Sequence, residues 1–138
     1  MKKYEFIEHT ADAGVRAYGA SLAEVFENCA LGMVALMLDP ETVGPQGRIG
    51  LEAEGSDSES LLVSWLAEIL FQAETRPWAF GEFKVDEISA RRVKGWGAGE
   101  PLDLARHKVR AEIKAPTYHM LELKEEAGRW MAQVIFDL

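Results

Sequence analysis

Apolar residues recur every three or four positions in two segments of the chain, the spacing of a helix that buries one face. Ser21 and Glu24 form a capping-box pattern at the start of the first segment. We therefore predict a helix from about residue 22 to Leu38, ending before Pro40. Its apolar positions are Leu22, Val25, Phe26, Cys29 and Met33.

The second helical segment has a broader apolar face. A similar pair, Ser56 and Glu59, precedes it, and Pro77 lies beyond its end. The apolar positions are Leu61, Leu62, Trp65, Leu66, Ile69 and Leu70. These features predict a second main helix.

Elsewhere apolar and polar residues alternate, which is typical of strands with one buried face. The alternation changes phase after Phe83 and Val85, so we predict a β-bulge or a break in the strand at Asp86-Glu87. Residues 130–136 are nearly all apolar, as in a strand covered on both faces. Further strands are predicted at Tyr4–Ile7, Val15–Tyr18, Ile49–Ala53, Val109–Ala115 and Leu121–Leu123, with a turn around Gly128.

These elements predict an α+β fold in a single domain spanning residues 1–138. We expect two main helices packed on a mixed or antiparallel sheet of about six or seven strands. The glycine-rich run Gly95-Trp96-Gly97-Ala98-Gly99 is interpreted as a flexible loop, since no lysine and helix start follow it as in a phosphate-binding loop.

The composition is that of a folded globular protein, with 48% hydrophobic and 28% charged residues. A single cysteine, Cys29, excludes an internal disulfide framework and suits a reducing compartment. No targeting segment is visible, and the longest apolar stretch is far shorter than the roughly 20 residues that cross a bilayer. We expect a cytoplasmic protein.

The net charge of −8 disfavours contact with a phosphate backbone. The two dense basic segments, residues 91–94 and 106–110, lack the interleaved aromatic side chains of a base-stacking platform. We therefore expect no direct binding of nucleic acid, and any role in RNA biology would pass through a protein partner.

Oxygen ligands for a metal are suggested where the last strand ends. In strand phase Asp137 shares a face with Ile135, and Leu138 adds an α-carboxylate one residue later. Two such anions close together repel, so they take up a proton or a cation. Asp12 becomes a third member if the last strand lies beside the second. An all-oxygen site of this kind prefers Ca²⁺, Mg²⁺ or Mn²⁺.

Each of these residues has a simpler interpretation that stays open at this point. Asp137 suits a solvated strand end, and Asp12 before Ala-Gly suits a turn. His9 fits a ligand, a hydrogen-bond partner of Asp12 or a surface residue. His107 and His119 are equally ambiguous, and the histidine spacing matches no zinc motif. Lys114 fits a solvated strand face or a contact with a partner.

Motifs of self-sufficient catalysis are absent from the sequence. It contains neither the G-x-S-x-G elbow of a hydrolase nor the H-E-x-x-H helix of a metalloprotease. A metal-dependent hydrolase that uses the same carboxylates remains an alternative, although it lacks a credible general base.

Six short parts of the sequence, taken together, resemble the archease family over essentially the whole chain. Their order and spacing carry the resemblance. Glu8 stands where archeases often have Asp, and Asp12 is kept. The segments are Glu8-His9-Thr10-Ala11-Asp12 with Arg16-Ala17-Tyr18-Gly19, Glu59 to Leu66, Gly99-Glu100, His107, Glu112 to His119, and Trp130 to Leu138.

The resemblance implies a non-catalytic protein cofactor. Archeases resemble activators of RtcB-type RNA ligases, which join RNA ends in tRNA splicing and RNA repair; they promote guanylylation of the ligase and multiple turnover. Some are linked to tRNA methylation as chaperone-like modulators, which is the alternative. By this analogy Asp12, Asp137 and an oxygen of Leu138 hold a divalent metal ion; we expect Ca²⁺, with Mg²⁺ or Mn²⁺ as alternatives. Glu8, His9, Lys114 and His119 are supporting or partner-contacting residues.

Overall fold

The computed structural model describes residues 2–8 and 12–138. Its helices are α1 (Leu22–Met37), α2 (Ser58–Thr75) and the short α3 (Leu104–His107), and Pro40–Thr42 form a 3₁₀ turn. None of these helices is long and apolar enough to cross a membrane. The strands are β1 (Tyr4–Glu8), β2 (Ala13–Gly19), β3 (Gly47–Glu54), β4 (Trp78–Ile88), β5 (Arg92–Pro101), β6 (Ala115–Pro116), β7 (Glu122–Glu126) and β8 (Arg129–Asp137).

The strands form two antiparallel sheets. The first has the order β1-β2-β8-β6, with β7 also paired to β8, and the second has the order β3-β5-β4. The predicted α+β class is confirmed, although the described residues contain eight strands divided between two sheets rather than one sheet. The predicted bulge is confirmed by a register shift between Val85 and Glu87.

The two long helices join the sheets through a common core. Helix α1 packs against β2 and β4, and α2 packs against β3. Trp65 is fully buried, and its indole Nε1 donates a hydrogen bond to the carbonyl of Phe26 in α1 at 3.2 Å. This bond satisfies the polar end of the largest side chain between the helices and fixes their relative position.

The N-cap of α1 is the predicted Ser21, although the Glu24 carboxylate accepts from the Ala20 N–H rather than from that of Ser21, and the N-cap of α2 differs from the predicted one by one residue. Ser21 accepts from the Glu24 N–H at 3.1 Å. In α2 the N-cap is Asp57, which accepts from the Ser60 N–H at 2.8 Å, while the Ser60 hydroxyl accepts from the Asp57 N–H. The predicted pair Ser56 and Glu59 was wrong because Ser60 supplies the return bond that a Glu or Gln usually makes.

The glycine-rich run predicted to be a flexible loop is the middle of β5, the central strand of the second sheet. Gly95, Gly97 and Gly99 all face inward, because every second residue of a strand lies on the same face of the sheet. A Cβ on Gly95 would collide with the carbonyl oxygen of Lys84, and a Cβ on Gly97 would meet the Phe80 ring. Close approach of β4 therefore requires these glycines.

The strand predicted at Val109–Ala115 is also wrong, since only Ala115 and Pro116 pair in a sheet. The Arg110 N–H donates to the Met37 carbonyl at 2.6 Å, and its guanidinium Nη1 donates to the Ala35 carbonyl at 3.1 Å. Arg110 thus satisfies carbonyls at the end of α1, whose last turn has no basic residue. These bonds hold the segment against a helix end, where it cannot follow a sheet.

Candidate metal site at the end of the first sheet

The register of β2 and β8 brings the two predicted aspartates to one edge of the first sheet. The strands run antiparallel, and Ala13 is paired with Phe136. Continuing this register by one residue puts Asp12 opposite Asp137. Asp12 is half-buried, whereas Asp137 and Leu138 are exposed. We call Asp12, Asp137 and Leu138 the acidic pole.

A third segment reaches the acidic pole from the other side of β8. Ala115 pairs with Asp137, and the Lys114 N–H donates to the Asp137 carbonyl at 2.8 Å. Two residue pairs further in, the hydroxyl of Thr117 donates to the Ile135 carbonyl at 2.7 Å. The exposed Lys114 therefore belongs to the same edge as Asp137, although the strand face on which it was predicted does not exist.

The other predicted supporting residues are distributed around this edge. The backbone of Glu8 pairs with Ala13, so β1 ends one residue pair from Asp12. His9 lies outside the described residues. His119 is exposed in the turn after β6, and its N–H donates to the Thr117 hydroxyl at 3.3 Å.

The donors at the acidic pole fit a hard cation. Carboxylate and carbonyl oxygens are the ligands that Ca²⁺, Mg²⁺ and Mn²⁺ prefer, and none of the three residues offers sulfur or nitrogen from its side chain. Within residues 2–8 and 12–138, no group of three His, Cys, Asp or Glu residues is placed to hold a metal. The predicted set contains only two such residues and takes its remaining donor from Leu138.

His107 lies in a different, buried cluster with Glu100. The two side chains are 1% and 2% exposed, and the imidazole Nε2 lies 2.8 Å from a carboxylate oxygen of Glu100. The Asp103 N–H donates to Nδ1 at 3.0 Å, so we assign the hydrogen to Nε2, which donates to Glu100. His107 is therefore a structural residue closed to solvent.

The Glu100 carboxylate accepts hydrogen bonds and charge from two other parts of the chain, residues 44–46 and residues 106–107. Its carboxylate also accepts from the Gly44 N–H at 2.9 Å and from the Gln46 amide at 2.7 Å, and the Arg106 guanidinium lies 3.3 Å away. The bond from Gly44 and the bond from His107 hold the pKa of Glu100 below its ordinary value, against the effect of desolvation. Sequence patterns missed this cluster because Gly44 and Gln46 are remote in sequence and carry no motif.

Comparison with known proteins matches residues 4–138 to the model of the archease protein family (MTH1598/TM1083). The archease of Methanosarcina mazei is 42% identical, and the alignment covers 99% of this chain and 97% of that protein. The chain belongs to the archease family.

Further relatives and solved structures are similar over most or all of their length. The archease of Thermococcus gammatolerans is 40% identical and fully covered. The solution structure of Methanobacterium thermoautotrophicum protein 1598 is 40% identical, with a TM-score of 0.79 and full coverage of both chains. A Thermotoga maritima archease, described as a possible chaperone, is 19% identical and shares the fold with a TM-score of 0.65 over 96% of this chain and 94% of its own. The predicted family is thus confirmed.

Proposed function

We propose that this member of the archease family is a non-catalytic protein cofactor. It binds a divalent metal ion at the acidic pole and activates an RtcB-type RNA ligase in the cytoplasm by promoting guanylylation of the ligase. The observation that carries the proposal is the β2–β8 register, which brings Asp12 and Asp137 from opposite ends of the described chain to one sheet edge.

The electrostatics of the acidic pole favour a cation. Two carboxylates on adjacent strands repel each other, and a divalent ion between them removes this repulsion. The Lys114 N–H bonds to the backbone carbonyl of Asp137 and holds the end of β8 in place. This bond does not use the Asp137 carboxylate, whose oxygens can therefore bind a metal. Asp12, Asp137 and an oxygen of Leu138 would hold the ion.

The exposure of the acidic pole suits action on a partner. Asp137 and Leu138 lie at the protein surface, with Leu138 42% exposed, so a bound ion would be accessible to another macromolecule. The net charge of −8 favours docking on a cationic surface such as the RNA-binding cleft of a ligase. RNA then meets the ligase, and this protein needs no nucleic-acid site of its own.

Metal binding is tested by thermal unfolding with Ca²⁺, Mn²⁺ or Mg²⁺. An ion present at 100 times its Kd stabilises the protein by about 2.7 kcal/mol. We expect Asp12→Asn and Asp137→Asn to lose this stabilisation. Asp86→Asn, an exposed aspartate in the second sheet, is the matched control and should keep it. Equal stabilisation of all four proteins would refute the metal site.

Ligase activation is tested by guanylylation of a cognate RtcB-type ligase with GTP and Mn²⁺. The wild-type protein and Asp86→Asn should accelerate guanylylation, and the Asp12→Asn and Asp137→Asn variants should not. No acceleration by the wild-type protein would refute the activator role. Chelator-sensitive phosphoester hydrolysis by this protein alone would instead identify a metal-dependent hydrolase.

A further inference from the structure

A strap of chain, residues 102–114, borders an apolar groove beside the acidic pole. The groove has a volume of about 570 Å³ and lies between this strap and the C-terminal ends of α1 and α2. Most of its wall is apolar, and the one indole nitrogen in the wall, Nε1 of Trp78, is covered from solvent. Apolar residues of the wall include Met37, Leu70, Leu102, Leu104, Val109 and Ile113.

The groove is held open by hydrogen bonds along the strap. At its start the Leu102 N–H donates to the Pro77 carbonyl at 2.8 Å, and in the middle Arg110 bonds to the end of α1. At its end the Lys114 N–H donates to the backbone carbonyl of Asp137. With the segment held in this way, Leu104 and Val109 remain 69% and 45% exposed. Apolar side chains kept exposed around a concave surface are typical of a protein interaction site.

Charged residues on the rim define the occupant. Glu74 and Glu112 are exposed, and neither has a cationic partner among the residues that the structure describes. Lys114 lies on the rim at the end nearest the acidic pole. An apolar side chain flanked by lysine or arginine would fill the groove and pair with the two glutamates.

Small-molecule pockets usually contain several polar groups that converge on the ligand, and here the exposed polar side chains lie on the rim. A protein segment therefore fits better. We propose that the groove is a docking site for a segment of the partner protein that carries a large apolar residue next to lysine or arginine. The identity of this partner as the ligase rests on the proposed function. Lys114 makes the groove continuous with the acidic pole, so one partner can contact both.

The groove is tested by titrating a cognate RtcB-type ligase with the Leu104→Asn/Val109→Asn double variant. We expect the concentration for half-maximal stimulation of guanylylation to rise by about tenfold or more, because the double variant removes two apolar side chains that the partner would bury and puts polar amides in their place. The maximal rate and the metal-dependent stabilisation should be unchanged, since the acidic pole is intact. Phe71→Asn is the control: Phe71 is 60% exposed on α2 and lies outside the groove.

A photo-crosslinker on a single cysteine identifies the occupant. In a Cys29→Ala background, a benzophenone attached to Val109→Cys should crosslink to a ligase segment with apolar and basic residues, whereas one attached to Phe71→Cys should not. Normal stimulation by the double variant, or a crosslinked segment of acidic composition, would overturn the docking site and leave the activator role standing. No stimulation by the wild-type protein would overturn both proposals.

Discussion

Cys29 should be almost inert to thiol reagents in the folded protein. It is the only cysteine of the chain, and its side chain is fully buried on α1. Burial raises the pKa of the Cys29 thiol from 9.0 to about 12. At pH 8 such a thiol is ionised to about one part in 10⁴, against about one part in ten at the ordinary value. Ionisation alone therefore slows the reaction about 1000-fold.

In a second route to reaction, α1 first separates from the core and exposes the Cys29 thiol to the reagent. If that requires global unfolding at a cost of at least about 5 kcal/mol, the reactive fraction is about 10⁻⁴ or less. Either route to reaction predicts labelling at least about 1000-fold slower than for an exposed cysteine. Reactivity should rise with urea as the protein unfolds.

The assay is the rate of release of thionitrobenzoate from an aromatic disulfide reagent at pH 8. The control is the variant Cys29→Ala/Ala90→Cys, which moves the thiol to the exposed turn between β4 and β5. Wild-type labelling within tenfold of this control, in the absence of urea, would refute the inference that α1 and its thiol are sealed in the core.

Three further predictions concern stability. Gly99→Ala should lower the free energy of unfolding by about 1–3 kcal/mol, measured by urea unfolding, because its Cβ would collide with the Ala79 carbonyl. The control Gly50→Ala should be near neutral, because a Cβ at Gly50 on the same sheet has open space around it. Ala127 has a φ of +52° in the β7–β8 turn, a conformation that Asn tolerates and β-branched Val does not. Thermal unfolding should therefore show a free energy of unfolding about 0.5–1 kcal/mol higher for Ala127→Asn and a lower one for Ala127→Val. The pKa of Glu100 is lower in the folded protein than its ordinary value of 4.5. The ionised carboxylate therefore stabilises the fold fully above pH 4.5, and this stabilisation is lost as the pH falls through the folded pKa. The thermal unfolding midpoint of Glu100→Gln should fall less steeply below pH 4.5 than that of the wild type, and equal pH dependence of the two midpoints would contradict this.

The sequence by itself determined the elements whose formation is local. The bounds of α1 follow from Ser21, Glu24 and Pro40, because caps and proline act within a few residues. The bulge before Glu87 was visible as a change in alternation, since a strand has a period of two. The apolar run of β8 likewise indicated a strand buried on both faces, and residues 132–136 are buried.

Tertiary structure decided the features that depend on distant partners. The glycines of β5 were predicted to form a loop because the local sequence does not show that they make room for the neighbouring strand β4. Residues 109–113 alternate like a strand, but Arg110 binds the end of α1 and removes the segment from a sheet. The carboxylates of the acidic pole were identified individually in the sequence. Only the pairing of β2 with β8 brings Asp12 and Asp137 to the same edge, because register is a property of two strands together.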